Sequence, residues 1–187
     1  MKAGMATFAR RGYEQTRVVD LAKDAGISVG VFYQRFKDKR GFFDALEADF
    51  ISRGYENWDR FFEQADPDWT ARELFEALVS GLARQIRNNV GFFRALVTLG
   101  HHDKNVVHPA VELDLYGAKK LESYLIERKL IRPQKLRENQ VYFAIATVMK
   151  TLLVMALNDV GPFRATDGRT AEEMTRLLGA YLGIRVD

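Results

Sequence analysis

The chain has 187 residues, 47% of them apolar and 28% charged, a balance that suits compact folding and excludes intrinsic disorder. Cysteine is absent, which excludes disulfide frameworks and thiolate chemistry and permits a cytoplasmic location. The net charge of +3 is unevenly spread: residues 1–43 carry nine Lys/Arg against four Asp/Glu, a net +5, and residues 44–187 carry 19 against 21, a net −2. A basic head on a slightly acidic body suits phosphate contact at one end.

From the N-terminus, Met5, Phe8 and Ala9 share one helical face, and Gly12-Tyr13 is the expected stop. Residues 1–12 lack the continuous apolar run of a signal peptide. Thr16 is a plausible N-cap for a second helix carrying Val18, Leu21, Ala22 and Ala25, with Gly26 just past its end. Ser28 can cap a third helix that holds Phe32 and Phe36 at i, i+4. Asp38 can cap a long fourth helix through Phe42, Phe43, Leu46 and Phe50, reaching towards Trp58, Phe61 and Phe62.

Asp66-Pro67-Asp68 breaks the chain. Helical spacing resumes near residues 70–88 and 91–99. His101, His102 and His108 then fall in an expected loop before a helix opened by His108-Pro109 and running to about Leu130. Arg132-Pro133 is read as opening an apolar helix that ends near Asn158. Its core, residues 141–157, carries Lys150 near the middle, which favours a buried helix over a membrane span, so no membrane partner is expected. Residues 161–168 read as a loop. Thr170 and Glu173 form an expected capping box for a last helix to Gly183. The fold class is all-α: an N-terminal three-helix helix-turn-helix domain over residues 1–43, and a C-terminal helical ligand-binding and dimerisation domain over 44–187.

Residues 16–36 carry the functional signal. Two short helices around a glycine-containing turn form a DNA-reading unit, with small Ala22 at the crossing and Leu21, Ile27 and Phe32 holding the second helix on the first. The outward positions of that second helix then lie in the major groove. Gly12-Tyr13, Thr16, Leu21-Ala22, Ala25-Gly26-Ile27-Ser28, Gly30, Tyr33, Phe36 and Lys39 fall at the spacing of the tetracycline-repressor (TetR) family signature, which this stretch resembles.

The resemblance implies phosphate contacts from Tyr33 and Lys39, and base-edge contacts from Val29, Gly30, Val31, Gln34 and Arg35. Gln34 pairs with adenine in that reading, Arg35 with guanine or phosphate, and Val31 with a thymine methyl. Thr16, Arg17, Ser28 and Lys37 complete the expected DNA-binding set. Arg17 stands where the family often has a threonine, and Val19 where a polar or basic residue is common.

A reader of a single half-site gains few contacts, so a homodimer on a palindromic double-stranded operator is expected. Val148, Leu152 and Met155 of the apolar helix, with Leu177, Leu178 and Tyr181 of the last, are the expected dimer interface, the alternative being that these helices fill the domain's own core. A small apolar or amphipathic effector is expected against Trp58, Phe62, Phe92, Phe93, Leu96, His101, Tyr116, Tyr124, Phe143 and Lys150. No nucleophile–base spacing, glycine-rich phosphate loop or paired-carboxylate motif is present, so no enzyme activity, cofactor or metal is expected. The overall expectation is a ligand-released transcriptional repressor; the alternative is a helical ligand- or metal-binding protein without a DNA-dependent function.

Overall fold

The computed structural model describes residues 1–158 and 161–186, and all regular structure among them is helical. Two compact units emerge. The first comprises Met1–Arg53 with Asn89–Ala110, and the second Gly54–Asn88 with Val111–Asp187.

In the first unit, α1 (Lys2–Gln15), α2 (Val18–Asp24) and α3 (Val29–Arg35) precede the opening turns of α4 (Lys39–Glu63). After α5 (Ala71–Asn88), α6 (Val90–His102) returns to pack on α1. Phe8, Phe32, Phe43 and Phe92 are buried at the centre of this unit, with Phe43 and Phe92 stacked 5.6 Å apart. Burying an aromatic ring stabilises by about 1.5–3 kcal/mol, so four such rings make a core that short helices alone lack.

The second unit holds the rest of α4, then α5, most of α7 (His108–Glu127), α8 (Gln140–Asn158) and α9 (Gly168–Leu182). The buried stripe Leu74, Phe75, Leu78, Val79, Leu82 and Ile86 gives α5 one apolar face, which meets α8 and α9. Among the described residues α8 is the one helix long and apolar enough to cross a membrane, and part of its surface is buried in this packing. Gly117 of α7 lies flat on the Trp58 indole: a Cβ there would sit 2.1 Å from the ring.

Several local expectations change. The regular helix is interrupted at the expected Gly12 (φ 74°), but beyond this kink a further turn runs on to Gln15. Thr16 does not cap α2: its hydroxyl donates to the Gly12 carbonyl at 2.6 Å, and Arg17 occupies the N-cap. His101 and His102 continue α6 rather than lying in a loop. Pro133 opens only a 3-10 turn (Pro133–Lys135), and α8 starts at Gln140, whose carboxamide accepts from the Arg137 N–H at 3.0 Å. Asp167, not Thr170, caps α9; Thr170 is buried inside the helix and donates to the Arg164 carbonyl at 2.7 Å.

Candidate nucleic-acid interface

The turn between α2 and α3 is built from local hydrogen bonds. Gly26 takes φ +67°, a left-handed conformation that costs a residue with a Cβ about 1–2 kcal/mol. It lets the Gly26 N–H reach the Lys23 carbonyl at 3.1 Å and the Ile27 N–H reach the Ala22 carbonyl at 3.0 Å. This paired closure satisfies two carbonyls that would otherwise be orphaned at the end of α2. Two residues on, the Ser28 hydroxyl accepts the Val31 N–H at 3.1 Å and starts α3. The chain therefore stops one helix and begins another within four residues.

Phe32 orients α3. It is 1% exposed, and its ring meets Phe36 at 5.2 Å and Phe42 at 5.8 Å. Leu21 and Ala22 of α2 are equally buried. At 100° per residue, anchoring Phe32 inward turns Gly30 and Gln34 outward, with Tyr33 and Val31 beside them. Gly30, Tyr33, Gln34 and Arg35 are exposed; Val29 is at the edge of exposure and Val31 is half-buried.

The charges around this face are ordered. Asp20 accepts the Arg17 N–H at 3.1 Å and pairs with Arg11 at 3.0 Å. Those partners, the Arg17 backbone bond first, hold its carboxyl below the usual range. Asp24 is likewise held low, chiefly by the Thr7 hydroxyl 2.6 Å away, and pairs with Arg10. Both carboxylates of α2 are thus turned to α1, where they are neutralised. Arg17, Arg35 and Lys37 remain exposed cations.

Two members of the expected DNA-contacting set are engaged elsewhere. Thr16 is 1% exposed and spends its hydroxyl on Gly12. Lys39 donates to the Tyr13 and Glu14 carbonyls at 2.8 and 3.2 Å and lies over the Tyr13 ring, so its ammonium caps the C-terminal end of α1. A lysine has three donors, which leaves one for an outside acceptor. Val19, at 54% exposure, is a large apolar side chain on the outer surface of α2; its place in the sequence marked it only as a missing polar group.

The expected effector residues divide between the units. Phe92, Phe93 and Leu96 are buried in the first unit's core, and His101 is exposed at the end of α6. In the second unit Trp58 stacks on Phe62 at 6.1 Å and Phe62 meets Tyr124 at 5.3 Å. Tyr116 donates to Asp59, and Asp59 also pairs with Lys120 at 2.6 Å. Phe143 and Lys150 face outward instead. Asp114, which sequence patterning missed, is a half-buried acid near Lys150: partial burial pushes its carboxyl up to about 6 against the pull of that ammonium.

The expected dimer residues also divide. Val148, Leu152 and Leu178 are 2% exposed or less and fill the protomer's own core. Met155 is half-buried, and Leu177 and Tyr181 are exposed. The outward apolar groups of α8 are Phe143 and Val154, which periodicity did not single out for this role. Phe143 and Tyr181 meet at 5.5 Å beside a groove of about 630 Å³ that Val111, Leu115 and Arg137 also line.

Residues 1–46 match the family profile described as "Bacterial regulatory proteins, tetR family". No curated protein matches the chain. Among solved structures, it is similar to the TetR family transcriptional regulator PfmR from Thermus thermophilus, with 21% identity, a TM-score of 0.65, and 95% of this chain and 94% of that one covered. The fatty acid degradation regulator FadR from Bacillus halodurans has 19% identity and a TM-score of 0.69 over 98% and 96%. FadR from Bacillus subtilis, solved with stearoyl-CoA, has 18% identity and a TM-score of 0.65 over 94% of each chain.

Proposed function

We propose, for a chain whose N-terminal domain belongs to the TetR family of DNA-binding transcriptional regulators, that it represses by binding a palindromic operator as a homodimer and is released by a small apolar or amphipathic effector. The observation that carries the reading is the outward face of α3, with Gln34 exposed opposite buried Phe32 and the exposed Arg35 side chain flanking it. Gln34 reads an adenine through its carboxamide, and Arg35 reads a guanine or a phosphate. Tyr33, Arg17, Lys37 and the free donor of Lys39 hold phosphates on either side, while Val29 and Val31 meet thymine methyls.

The dimer forms through the outer surfaces of α8 and α9, where Phe143, Val154, Leu177 and Tyr181 expose apolar area that a lone protomer leaves in water. The effector binds in the second unit near Trp58, Phe62 and Tyr124, where stacked rings offer apolar surface. The stearoyl-CoA complex of the Bacillus subtilis relative supports an acyl-chain type of effector. Effector binding lowers DNA affinity only as far as it prefers the non-binding arrangement of the two readers.

The test is selection of duplexes from a random-sequence pool by the full chain, followed by titration of the enriched duplex at several salt concentrations. Enrichment of an inverted repeat bound with salt-sensitive affinity is expected. Failure to enrich any sequence, with binding no tighter than to scrambled duplex, would refute the reading.

A further inference from the structure

In the first unit, α4 places Arg40, Asp44 and Glu47 on one helical face, at i, i+4 and i+7. Arg40 is already shared. Its Nε donates to Asp44 at 2.7 Å and its Nη2 to Asp103, the C-cap of α6, at 3.3 Å. Glu47 is left over. It is half-buried, and its Oε1 is shut off from water with no hydrogen-bond partner among the described residues. Leaving a buried acceptor unpaired costs free energy, and more when it is charged, so the site favours the protonated acid. Burial first, and then Asp44, pushes the carboxyl up to about 7 against the pull of Arg40.

The other charges on the elements packed here are engaged or exposed. Asp49 and Arg53 of α4 pair with each other, and Arg10 and Arg11 of α1 pair with Asp24 and Asp20 of α2. Arg94 of α6 donates to the Ala9 carbonyl. His101 and His102 are exposed at the end of that helix, with Lys104 and His108 exposed beyond them. An ionised Glu47 therefore has Arg40 as its counter-ion, and the guanidinium can turn to it only by loosening its hold on Asp103. That hold joins the first turn of α4 to the end of α6, and the same turn carries Lys39, whose ammonium anchors the end of α1.

We infer that Glu47 makes the operator affinity of the reader sensitive to pH through the shared guanidinium of Arg40, an inference that rests on the DNA-reading function proposed above. Ionisation loosens the anchor of the reader and adds a negative charge to a domain that binds a polyanion. Both effects weaken binding as pH rises through neutrality.

The experiment titrates the full chain with the inverted-repeat duplex that it enriches, at constant ionic strength, from pH 6 to 8. The parent is expected to lose affinity by about fivefold to 100-fold more than Glu47→Gln does, the upper limit being a dimer that binds only with both Glu47 side chains protonated. Glu47→Gln retains the histidines and so carries any dependence due to them. Asp103→Asn can keep the bond to the Asn105 N–H but frees Arg40 for Glu47, and is expected to move the step to lower pH. Without DNA, NMR of the glutamate carboxyl carbons is expected to show one group titrating near neutrality in the parent and none in Glu47→Gln. Equal losses in the parent and Glu47→Gln overturn the inference while leaving the DNA-reading function intact, as does the lack of that neutral titration. A step that Asp103→Asn leaves in place overturns the route through Arg40. A parent chain that enriches no duplex overturns the DNA-reading function and this inference with it.

Discussion

Replacing Arg17 and replacing Gln34 should damage DNA binding in two separable ways. Arg17 is the N-cap of α2, its side chain is 76% exposed, and its one charged partner among the described residues is Asp20, 3.4 Å from Nε. A surface pair of that kind is worth about 0–1 kcal/mol, so the guanidinium can turn to a phosphate at little cost. Arg17→Ala keeps the backbone N–H bond to Asp20, and α2 should stay folded. A symmetric dimer loses two phosphate contacts, so the slope of log affinity against log salt should flatten by ~1.8. Over a fourfold rise in salt the variant should therefore lose about tenfold less affinity than the parent does. Gln34→Ala removes no charge and should leave that slope unchanged. It should cost about 1–3 kcal/mol at each half-site, which for two half-sites is roughly 30-fold or more in affinity for the enriched duplex. Fluorescence anisotropy of the labelled duplex across a salt series reads both quantities. An unchanged slope in Arg17→Ala together with a flattened one in Gln34→Ala would show that the roles assigned to this face are wrong.

Phe32→Ala should destabilise the protein by about 3–5 kcal/mol, because the ring is 1% exposed and packs on both Phe36 and Phe42; urea unfolding with a midpoint shift worth under about 1 kcal/mol would contradict that packing. Asp114 titrates near 6 in the folded protein, above its ordinary 3.8, so folding favours its protonated form. Its contribution is therefore present at low pH and is lost as pH rises between about 4 and 6. Asp114→Asn should lie above the parent at pH 7 by up to ~3 kcal/mol, and the gap should close towards pH 4; a gap independent of pH would contradict the burial. Introducing Glu at both Phe143 and Leu177 places charge on the outer surfaces of α8 and α9, and sedimentation velocity should then report monomer. A dimer of parental strength would move the interface elsewhere.

Much of the reader domain was legible along the chain because its signals are local. The Gly26 turn and the Ser28 cap satisfy backbone groups within a few residues, so residue types alone announce them. The same holds for the Asp38 cap of α4, where the Gly41 N–H bonds its carboxylate at 2.8 Å. The i, i+4 aromatics Phe32 and Phe36 likewise gave the inward side of α3, and hence the outward one.

Other features depended on groups that residue types alone do not announce. Thr16 has the chemistry of a cap, yet a kink at Gly12 presents a free carbonyl that takes its hydroxyl. Lys39 has the chemistry of a phosphate ligand, but folding brings its ammonium to the Tyr13 and Glu14 carbonyls, about 25 residues back. In α8 nearly every position is apolar, so periodicity has no contrast from which to choose an inner face. Packing against α5 and α9 made that choice, burying Val148 and Leu152 and leaving Phe143 and Val154 outside. Sequence thus determined the turn between α2 and α3 and which side of α3 faces outward, since backbone hydrogen bonding and helical geometry act over a few residues. Tertiary structure decided which polar side chains remain free and which apolar ones await a partner, because both depend on what long-range packing sets beside them.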